Sequence, residues 1–308
     1  PVSCIPRTRI TPWRLWQLRR LIRCWKPCIL VSWSEHVAVY ADWLFAAAPV
    51  AKVISVRADL TKRIGTDAPK QRMGLLQKAL ERADYVVSNS RRNLDALRGR
   101  GVRLPAAEVI YNIVAEGRTP SPPHASQVSR VVAVGSLIPL KSYDVLIEAA
   151  AVLAASATDF ELLLAGDGAE RPRLESLANR LGIAGRVKFL GDVEDVPGLL
   201  RAADVFVHPA ITEGLSNAIL EALAEGIPVV ACPVGATPEI IEDGQNGLLV
   251  PVRQPQVLAR AMGSLLNDAC LRQRLGRAGL ALVRDRFSES SITNQYETVF
   301  RRLIDGRP

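Results

Sequence analysis

The stretch DVFVHPAITEGLSNAILEALAEGIPVVACP, residues 204–233, predicts a strand, a loop, a helix and a second strand in succession. Two short runs rich in apolar and β-branched residues flank a helix expected over Asn217–Glu225. Parallel strands are joined by such crossover helices, and both faces of their sheet are buried, which explains why both runs are so apolar. The stretch therefore predicts a βαβ unit in which Glu213 lies in the loop and Glu221 in the helix, eight residues later.

The same alternation extends in both directions along the chain. Strand runs before the linker are CILVSW, AKVISV, DYVVSNS and AAEVIYNI; those after it are SRVVAVGSL, FELLLAGDG, VKFLG and, beyond the opening stretch, GLLVP. Between them VAEGRTPSPPHASQ, rich in Pro, Ser and Gly, reads as a linker. The predicted class is α/β with two Rossmann-like domains. We expect an N-terminal domain over 1–115, a linker over 116–128, a second domain over 129–288, and a last helix over 289–308 that packs back toward the first domain.

Positive charge is concentrated at the start of the chain. The net charge is +8, and residues 1–30 contain seven basic residues and no acidic one. A helix is expected after the N-cap Thr11 and before Pro27, with Trp13, Trp16 and Trp25 among its arginines. Such a helix is typical of contact with an anionic membrane, and equally of a helix that packs a leucine stripe on a sheet. The rest of the chain is nearly neutral, which disfavours nucleic-acid binding.

The cysteines indicate the compartment. The five, Cys4, Cys24, Cys28, Cys232 and Cys270, are scattered, odd in number and without metal-site spacing. We therefore expect free thiols in a reducing, cytoplasmic environment and no metal site. The apolar region 28–56 contains too many charged residues for a membrane span.

Three loops should meet where ligands bind in parallel sheets, beyond the carboxyl ends of the strands. They are residues 135–142, 166–168 and 212–217. The motif GDGAER lacks the third glycine of the dinucleotide fingerprint, and no P-loop occurs, which disfavours dehydrogenases and nucleotide triphosphatases.

The residue types in these loops suit a nucleotide sugar. A helix N-terminus after 212–217, together with Lys141, suits a diphosphate. Glu221 suits the two hydroxyls of a ribose, and Glu213 suits hydroxyls beyond the diphosphate. Glu221 and Glu225, four residues apart, are equally typical of a solvated helix face, so spacing alone leaves both interpretations open.

Longer motifs carry a resemblance to a known family. The segments VVAVGSLIPLKSYDVLIEAAAVL, LLLAGDGAERPRLESLANRLGIAGRVKFLG, LLRAADVFVHPAITEG and EGLSNAILEALAEGIPVVACPVGATPEIIEDGQNGLLVP occur in the order and spacing of the C-terminal domain of family 4 glycosyltransferases. The last resembles the E-x7-E segment of that family. The resemblance is strong over about 130–300 and looser over 18–115. It implies a GT-B fold, with a cleft between two Rossmann-like domains, the first on the acceptor side and the second binding the nucleotide sugar. It also implies a retaining sugar transfer that needs no cofactor and no metal.

The resemblance also implies roles for individual residues. Glu213 resembles the family's donor-sugar glutamate, Glu221 its ribose-binding glutamate, and Lys141 its diphosphate-binding lysine. The catalytic candidates are Glu213, Lys141 and Arg57. Arg57 stands where many members have a histidine near the reacting sugar, so it would serve the donor electrostatically; a structural surface arginine is the alternative. The expected donor-binding residues are Gly135, Ser136, Lys141, Gly166, Val193, Glu213, Gly214, Leu215, Ser216, Asn217 and Glu221.

Three departures keep a rival interpretation open. Ser136 stands where the family often has an arginine, Arg57 replaces the histidine, and the usual opening strand and glycine-rich loop are not found. We therefore expect an incomplete first domain. The rival is a catalytically silent nucleotide-sugar-binding or scaffolding protein; a sugar-nucleotide epimerase is disfavoured because its motifs do not match. The main expectation is a hexosyltransferase-type enzyme of bacterial surface polysaccharide or lipopolysaccharide synthesis. It would act on a glycan or lipid-linked acceptor at the inner face of the cytoplasmic membrane.

Overall fold

Two parallel sheets, each covered by helices, make up the fold. The computed structural model describes residues 12–45, 48–57, 70–115, 128–156 and 159–306. Residues 116–127 of the predicted linker lie outside this part. Ten strands occur in the described residues, one in each run that the sequence predicts, so the α/β class is confirmed.

The first sheet has the strand order β1-β2-β3-β4, with all strands parallel. The strands are β1 Ile29–Ser32, β2 Ala51–Val56, β3 Tyr85–Ser88 and β4 Ala106–Val109. The helices are α1 Pro12–Trp25, α2 Glu35–Leu44, α3 Lys70–Glu81 and α4 Arg91–Gly99.

The second sheet has the order β10-β9-β8-β5-β6-β7, again all parallel. Its strands are β5 Ser129–Val134, β6 Phe160–Ala165, β7 Val187–Gly191, β8 Val205–His208, β9 Val229–Ala231 and β10 Leu248–Leu249. The helices are α5 Tyr143–Ala154, α6 Arg171–Arg180, α7 Val196–Arg201, α8 Asn217–Ala224, α9 Thr237–Ile240, α10 Pro255–Asn267, α11 Ala269–Arg286 and α12 Glu289–Asp305.

Successive residues of each strand pack into different hydrophobic layers, one on each face of the sheet. In β2, Ile54 packs toward α2, α3 and α4, whereas its neighbour Val53 packs toward α12. In β5, Val131 packs with α5, α6 and α10, and Val132 packs with α7, α8 and α11. Burial on both faces explains the unbroken apolar runs in the sequence. The last helix thus packs on the first sheet, although it follows the second sheet in the chain.

One side of helix α1 packs on the first domain, and its tryptophans are exposed. Leu18 and Ile22 contact a small core that includes Phe45, which follows α2. Trp13, Trp16 and Trp25 are exposed. Trp25 lies beyond Ile22, the last residue of α1 in that core. Within the described ranges, no helix is long and apolar enough to cross a bilayer.

Two local features were not predicted from the sequence. Helix α4 has only Leu94 and Leu97 as buried apolar residues, too few to produce a clear helical pattern. A 3-10 turn, Pro139–Lys141, precedes α5, and Ser142 between them has a left-handed backbone (φ 51°). This turn places Lys141 at the carboxyl end of β5.

Candidate functional site

The three predicted loops meet at the carboxyl edge of the second sheet, because β8, β5 and β6 are neighbours there. Backbone hydrogen bonds join the loops: Gly135 N–H donates to the Ala165 carbonyl at 2.9 Å, and Ile211 N–H donates to the Leu140 carbonyl at 3.0 Å. The approach is so close that a Cβ at Gly166 (φ 119°) would lie 2.3 Å from the carbonyl oxygen of Gly135. A glycine is therefore required at position 166.

A cavity of about 230 Å³ opens between these loops. Four residues predicted from the sequence line it: Gly135, Ser136, Gly166 and Val193. Val193 follows β7, so the cavity lies over the outer half of the sheet. The structure thus brings together four residues that are spread over nearly sixty positions of the chain.

Lys141 and Glu213, both predicted site residues, form an ion pair at the edge of this cavity. The Lys141 ammonium donates to Oε2 of Glu213, and each side chain is about one-fifth exposed (19% and 21%). The Lys141 side chain also passes Gly135, which lines the cavity. The lysine is therefore held by a carboxylate.

His208, to which the sequence assigned no role, completes this group. It is the last residue of β8, is 1% exposed, and has Nε2 3.4 Å from Oε2 of Glu213. At 3.4 Å this contact is long for a hydrogen bond and therefore weak. Burial is the main cause that lowers the pKa of His208, so the ring is neutral at pH 7. A histidine at the end of an apolar strand was the signal that could have pointed to it.

Glu213 is firmly ionised. Burial opposes its ionisation, but the neighbouring His208 ring and the Lys141 ammonium outweigh burial and lower the pKa of Glu213 to about 2. Beside them the hydroxyl of Tyr143 is buried and has no hydrogen-bond partner in the described part of the chain. Burial, and then the charge of Glu213, raise the pKa of Tyr143.

The loop between Glu213 and α8 is held against a tight turn. Ala236 N–H donates to the Gly214 carbonyl at 2.8 Å, and a Cβ at Gly235 (φ 54°) would lie 1.8 Å from the Glu213 carbonyl oxygen. Leu215 and Ser216 are buried. Ser216 is the N-cap of α8, yet its side chain makes no capping hydrogen bond, so the first-turn amides of α8 are left without that cap.

Glu221 lies one turn into α8 and is half-buried. Its carboxylate has no hydrogen bond or ion pair to any residue in the described ranges, and burial raises the pKa of the group. Glu225, by contrast, pairs with Arg201 at 3.2 Å. The two glutamates at this helix therefore differ, and of the two only Glu221 leaves a partly desolvated carboxylate open to a ligand.

Arg57 lies in a separate cluster on the first sheet. Its guanidinium donates to Asn112 Oδ1 at 2.5 Å and to the Tyr296 hydroxyl at 3.1 Å, and it stacks on the Trp33 ring at 4.8 Å. Among the described residues it has no contact with Glu213 or Lys141. Asn112 connects the clusters, because its Nδ2 donates to Oδ1 of Asn217, the first residue of α8, at 2.6 Å.

A second link between the sheets is made by Glu239 of α9. Its carboxylate accepts from the Ser90 hydroxyl at 2.7 Å, from the Arg91 amide at 2.8 Å, and from the Tyr111 hydroxyl at 2.9 Å. Glu239 therefore caps the N-terminus of α4 from the other half of the chain. A wider cavity of about 490 Å³ lies nearby, between Arg92 and the 211–253 segments of the second half. In the described part of the chain, no group of three His, Cys, Asp or Glu residues could hold a metal ion.

A known protein family matches the part of the chain that carries this site. Residues 128–268 match the family described as glycosyl transferases group 1. They form a group 1 glycosyltransferase domain. This confirms the resemblance to a family of glycosyltransferases. The assignment of residues 213–221 to its E-x7-E segment stays a prediction.

Two curated relatives come from Rhizobium meliloti. The lipopolysaccharide core biosynthesis glycosyltransferase LpsE is 36% identical over 61% of this chain and 56% of that protein. LpsD, with the same description, is 28% identical over 95% of this chain and 80% of that protein. The chain spans about a third to just over half the length of the curated relatives that it matches above 30% identity.

Solved structures confirm the architecture. Anabaena HepE, crystallised in complex with UDP, superposes with a TM-score of 0.85 at 23% identity, covering 94% of this chain and 82% of that chain. Sucrose-phosphate synthase from Thermosynechococcus elongatus also gives 0.85 at 23% identity, covering 100% and 82%. The chain therefore has the GT-B fold.

Proposed function

We propose that this chain transfers a sugar from a nucleotide-diphosphate sugar to a glycan or lipid-linked acceptor in bacterial surface polysaccharide or lipopolysaccharide synthesis. The observation that carries the proposal is the Lys141–Glu213 pair at the edge of the cavity that Gly135, Ser136, Gly166 and Val193 line. Support comes from the group 1 domain, from the naming of LpsD and LpsE, and from HepE structures with UDP and UDP-glucose.

In this proposal each group meets one part of the donor. The cavity takes the base, and Glu221 accepts hydrogen bonds from the ribose hydroxyls, which satisfy its unpaired carboxylate. The diphosphate meets Lys141 and the uncapped amides of α8. Glu213 accepts from hydroxyls of the sugar.

The pairing of Lys141 with Glu213 has a consequence for catalysis. Because Lys141 is bound to Glu213, a diphosphate that recruits the ammonium must share or release the carboxylate. Glu213 is then available to the sugar hydroxyls. Lys141 and the α8 amides would stabilise charge on the leaving nucleotide, without a metal ion and with retention of configuration. In this proposal the neutral His208 positions Glu213.

The proposal is tested by calorimetric titration with UDP, GDP and ADP. We expect one nucleotide to bind selectively. Glu221→Ala should weaken it roughly ten- to hundredfold, equivalent to about 1.5–3 kcal/mol for a hydrogen bond to a charged group. Glu148→Ala, an exposed glutamate of α5, is the matched control. Unchanged affinity in Glu221→Ala would place Glu221 outside the site.

The second candidate is a silent nucleotide-sugar-binding protein. It is favoured by Ser136, which lines the cavity where the family often has an arginine. Incubation with the selected sugar nucleotide and mass spectrometry of the products distinguish the two. Release of the free nucleoside diphosphate supports transfer or slow hydrolysis, whereas tight binding of an intact donor supports the silent protein.

We also propose that α1 contacts the anionic inner face of the cytoplasmic membrane. Trp13 and Trp16 are 63% and 57% exposed, and Arg19, Arg20 and Arg23 are exposed beside them. Indole rings favour the interfacial region of a bilayer, and arginines favour anionic headgroups. The opposite side of the helix is held on the first domain by Leu18 and Ile22.

A further inference from the structure

Each strand of the first sheet contributes one polar or aromatic residue to a single cluster at its carboxyl edge. Trp33 follows β1, Arg57 follows β2, Asn89 follows β3 and Asn112 follows β4. The Arg57 guanidinium covers one face of the Trp33 ring, and Asn89 Nδ2 lies 3.5 Å from both the Asn112 side-chain oxygen and the Arg57 carbonyl. We call these four residues the β1–β4 cluster.

Among the described residues, no carboxylate compensates the charge of Arg57. Its three side-chain hydrogen bonds go to the neutral groups of Ser55, Asn112 and Tyr296, and it forms no ion pair with a carboxylate in the described part of the chain. Such a half-buried, oriented guanidinium favours an anionic partner, because the planar fork suits carboxylate and phosphate oxygens.

Two further observations point to a ligand that carries hydroxyls and a flat apolar face. Asn89 is 3% exposed, and its Oδ1 is buried without a hydrogen-bond partner among the described residues, so a hydroxyl donor there would satisfy it. Trp33 remains 53% exposed although Arg57 and Tyr296 both contact its ring. An exposed indole provides the flat apolar surface on which a sugar ring can lie.

The cluster also faces the other half of the molecule. The Asn112 side chain accepts a hydrogen bond from Arg57 and also donates one to Asn217. Asn217 lies at the start of α8, four residues after Glu213. A molecule held by the β1–β4 cluster would therefore lie across the cleft from the groups proposed to hold the donor.

We propose that the β1–β4 cluster is an acceptor subsite that selects a saccharide bearing a negatively charged group, a carboxylate or a phosphate. Arg57 would bind that group, Trp33 would stack on the sugar ring, and Asn89 would accept from a hydroxyl. This rests on the proposed function and assigns Arg57 to the acceptor, whereas the sequence associates it with the reacting donor sugar.

The test uses three probes on the full chain: methyl glucuronide, glucose 6-phosphate and uncharged methyl glucoside. Their dissociation constants are measured by saturation-transfer NMR, with and without the nucleotide that binds. Both anionic probes should bind at least about fivefold more tightly than the glucoside, a ratio equivalent to ~1 kcal/mol. The tighter of the two identifies the acidic group of the acceptor.

Variants connect the preference to the cluster. Arg57→Gln should abolish the preference for anionic probes, whereas Arg57→Lys, which keeps the charge, should retain part of it. Trp33→Leu should weaken all three probes. Arg260→Gln, an exposed arginine of α10, is the matched control for loss of one positive charge and should change nothing.

Three results would overturn the inference: equal binding of charged and neutral probes, an anion preference that survives in Arg57→Gln, or no probe binding by the folded chain. Nucleotide titration of the same samples separates this failure from failure of the donor site. A chain that binds no nucleotide but shows the Arg57-dependent preference would lose the proposed donor function and keep the subsite.

Discussion

Replacing Glu213 by glutamine is the most informative single perturbation of the site. The change keeps the size of the side chain and removes its charge. The carboxylate it removes is held by Lys141, lies 3.4 Å from His208, and is only about one-fifth exposed. Its loss leaves the Lys141 ammonium without its counter-ion in a largely desolvated position, which is costly.

The magnitude follows from the pKa of Glu213. That pKa falls from the ordinary 4.5 to about 2 in the folded chain, a difference of about 2.5. At 1.36 kcal/mol per pKa unit this corresponds to roughly 3 kcal/mol of folding stability at pH 7. We therefore expect Glu213→Gln to lower the free energy of unfolding by about 2–3 kcal/mol.

The same reasoning gives a pH dependence. Because the folded pKa lies below the unfolded one, the stabilisation is complete above pH 4.5 and is lost as the pH falls toward 2. About 2 kcal/mol of it should be gone by pH 3. The stability difference between the wild type and Glu213→Gln should therefore shrink between pH 4.5 and pH 3.

Urea unfolding followed by circular dichroism at pH 7, 4.5, 4 and 3.5 measures this difference. Glu148→Gln, on the exposed face of α5, serves as the control and should remain within ~0.5 kcal/mol of the wild type at every pH. If Glu213→Gln were as stable as that control at pH 7, or if its deficit did not change down to pH 3.5, the described ion pair would not stabilise the chain.

Three other perturbations test other parts of the structure. Gly166→Ala should lower the unfolding free energy by at least ~2 kcal/mol, because the alanine Cβ would overlap the neighbouring loop and φ is 119°. Urea unfolding measures this change, and a neutral effect would refute the close approach of the two loops. Glu239→Gln should cost about 1–2 kcal/mol and increase amide hydrogen exchange at the start of α4; unchanged exchange there would argue against the cap. Arg19→Gln should reduce co-sedimentation with phosphatidylglycerol vesicles but not with phosphatidylcholine vesicles, and equal losses on both would refute an anionic preference.

Much of the donor-side arrangement was accessible from the sequence. Strand runs mark where each strand ends, and in a parallel sheet all those ends lie at one edge. The loops with Gly135, Gly166 and Glu213 could therefore be assigned to one place from the strand pattern alone. The sequence could not predict that Lys141 pairs with Glu213 or that His208 lies beside them, because it does not state which strands are neighbours.

In the first sheet, by contrast, little of the residue cluster could be predicted from the sequence. Its strands were predicted, but Trp33, Asn89 and Asn112 each look like an ordinary residue just after a strand. Only Arg57 was selected, and it was assigned to the donor. The cluster becomes visible when β1 to β4 are placed side by side.

The sequence by itself determined the α/β alternation, the division into two α/β halves and the resemblance of the second half to a family of glycosyltransferases. Those properties are local, because burial of alternating elements and loop chemistry are encoded within a few residues. Only the tertiary structure decided that Lys141 meets Glu213, 72 positions away, and that Asn112 meets Asn217, 105 positions away. Such contacts depend on strand order and on how the two sheets face each other, and both arise from packing over the whole chain.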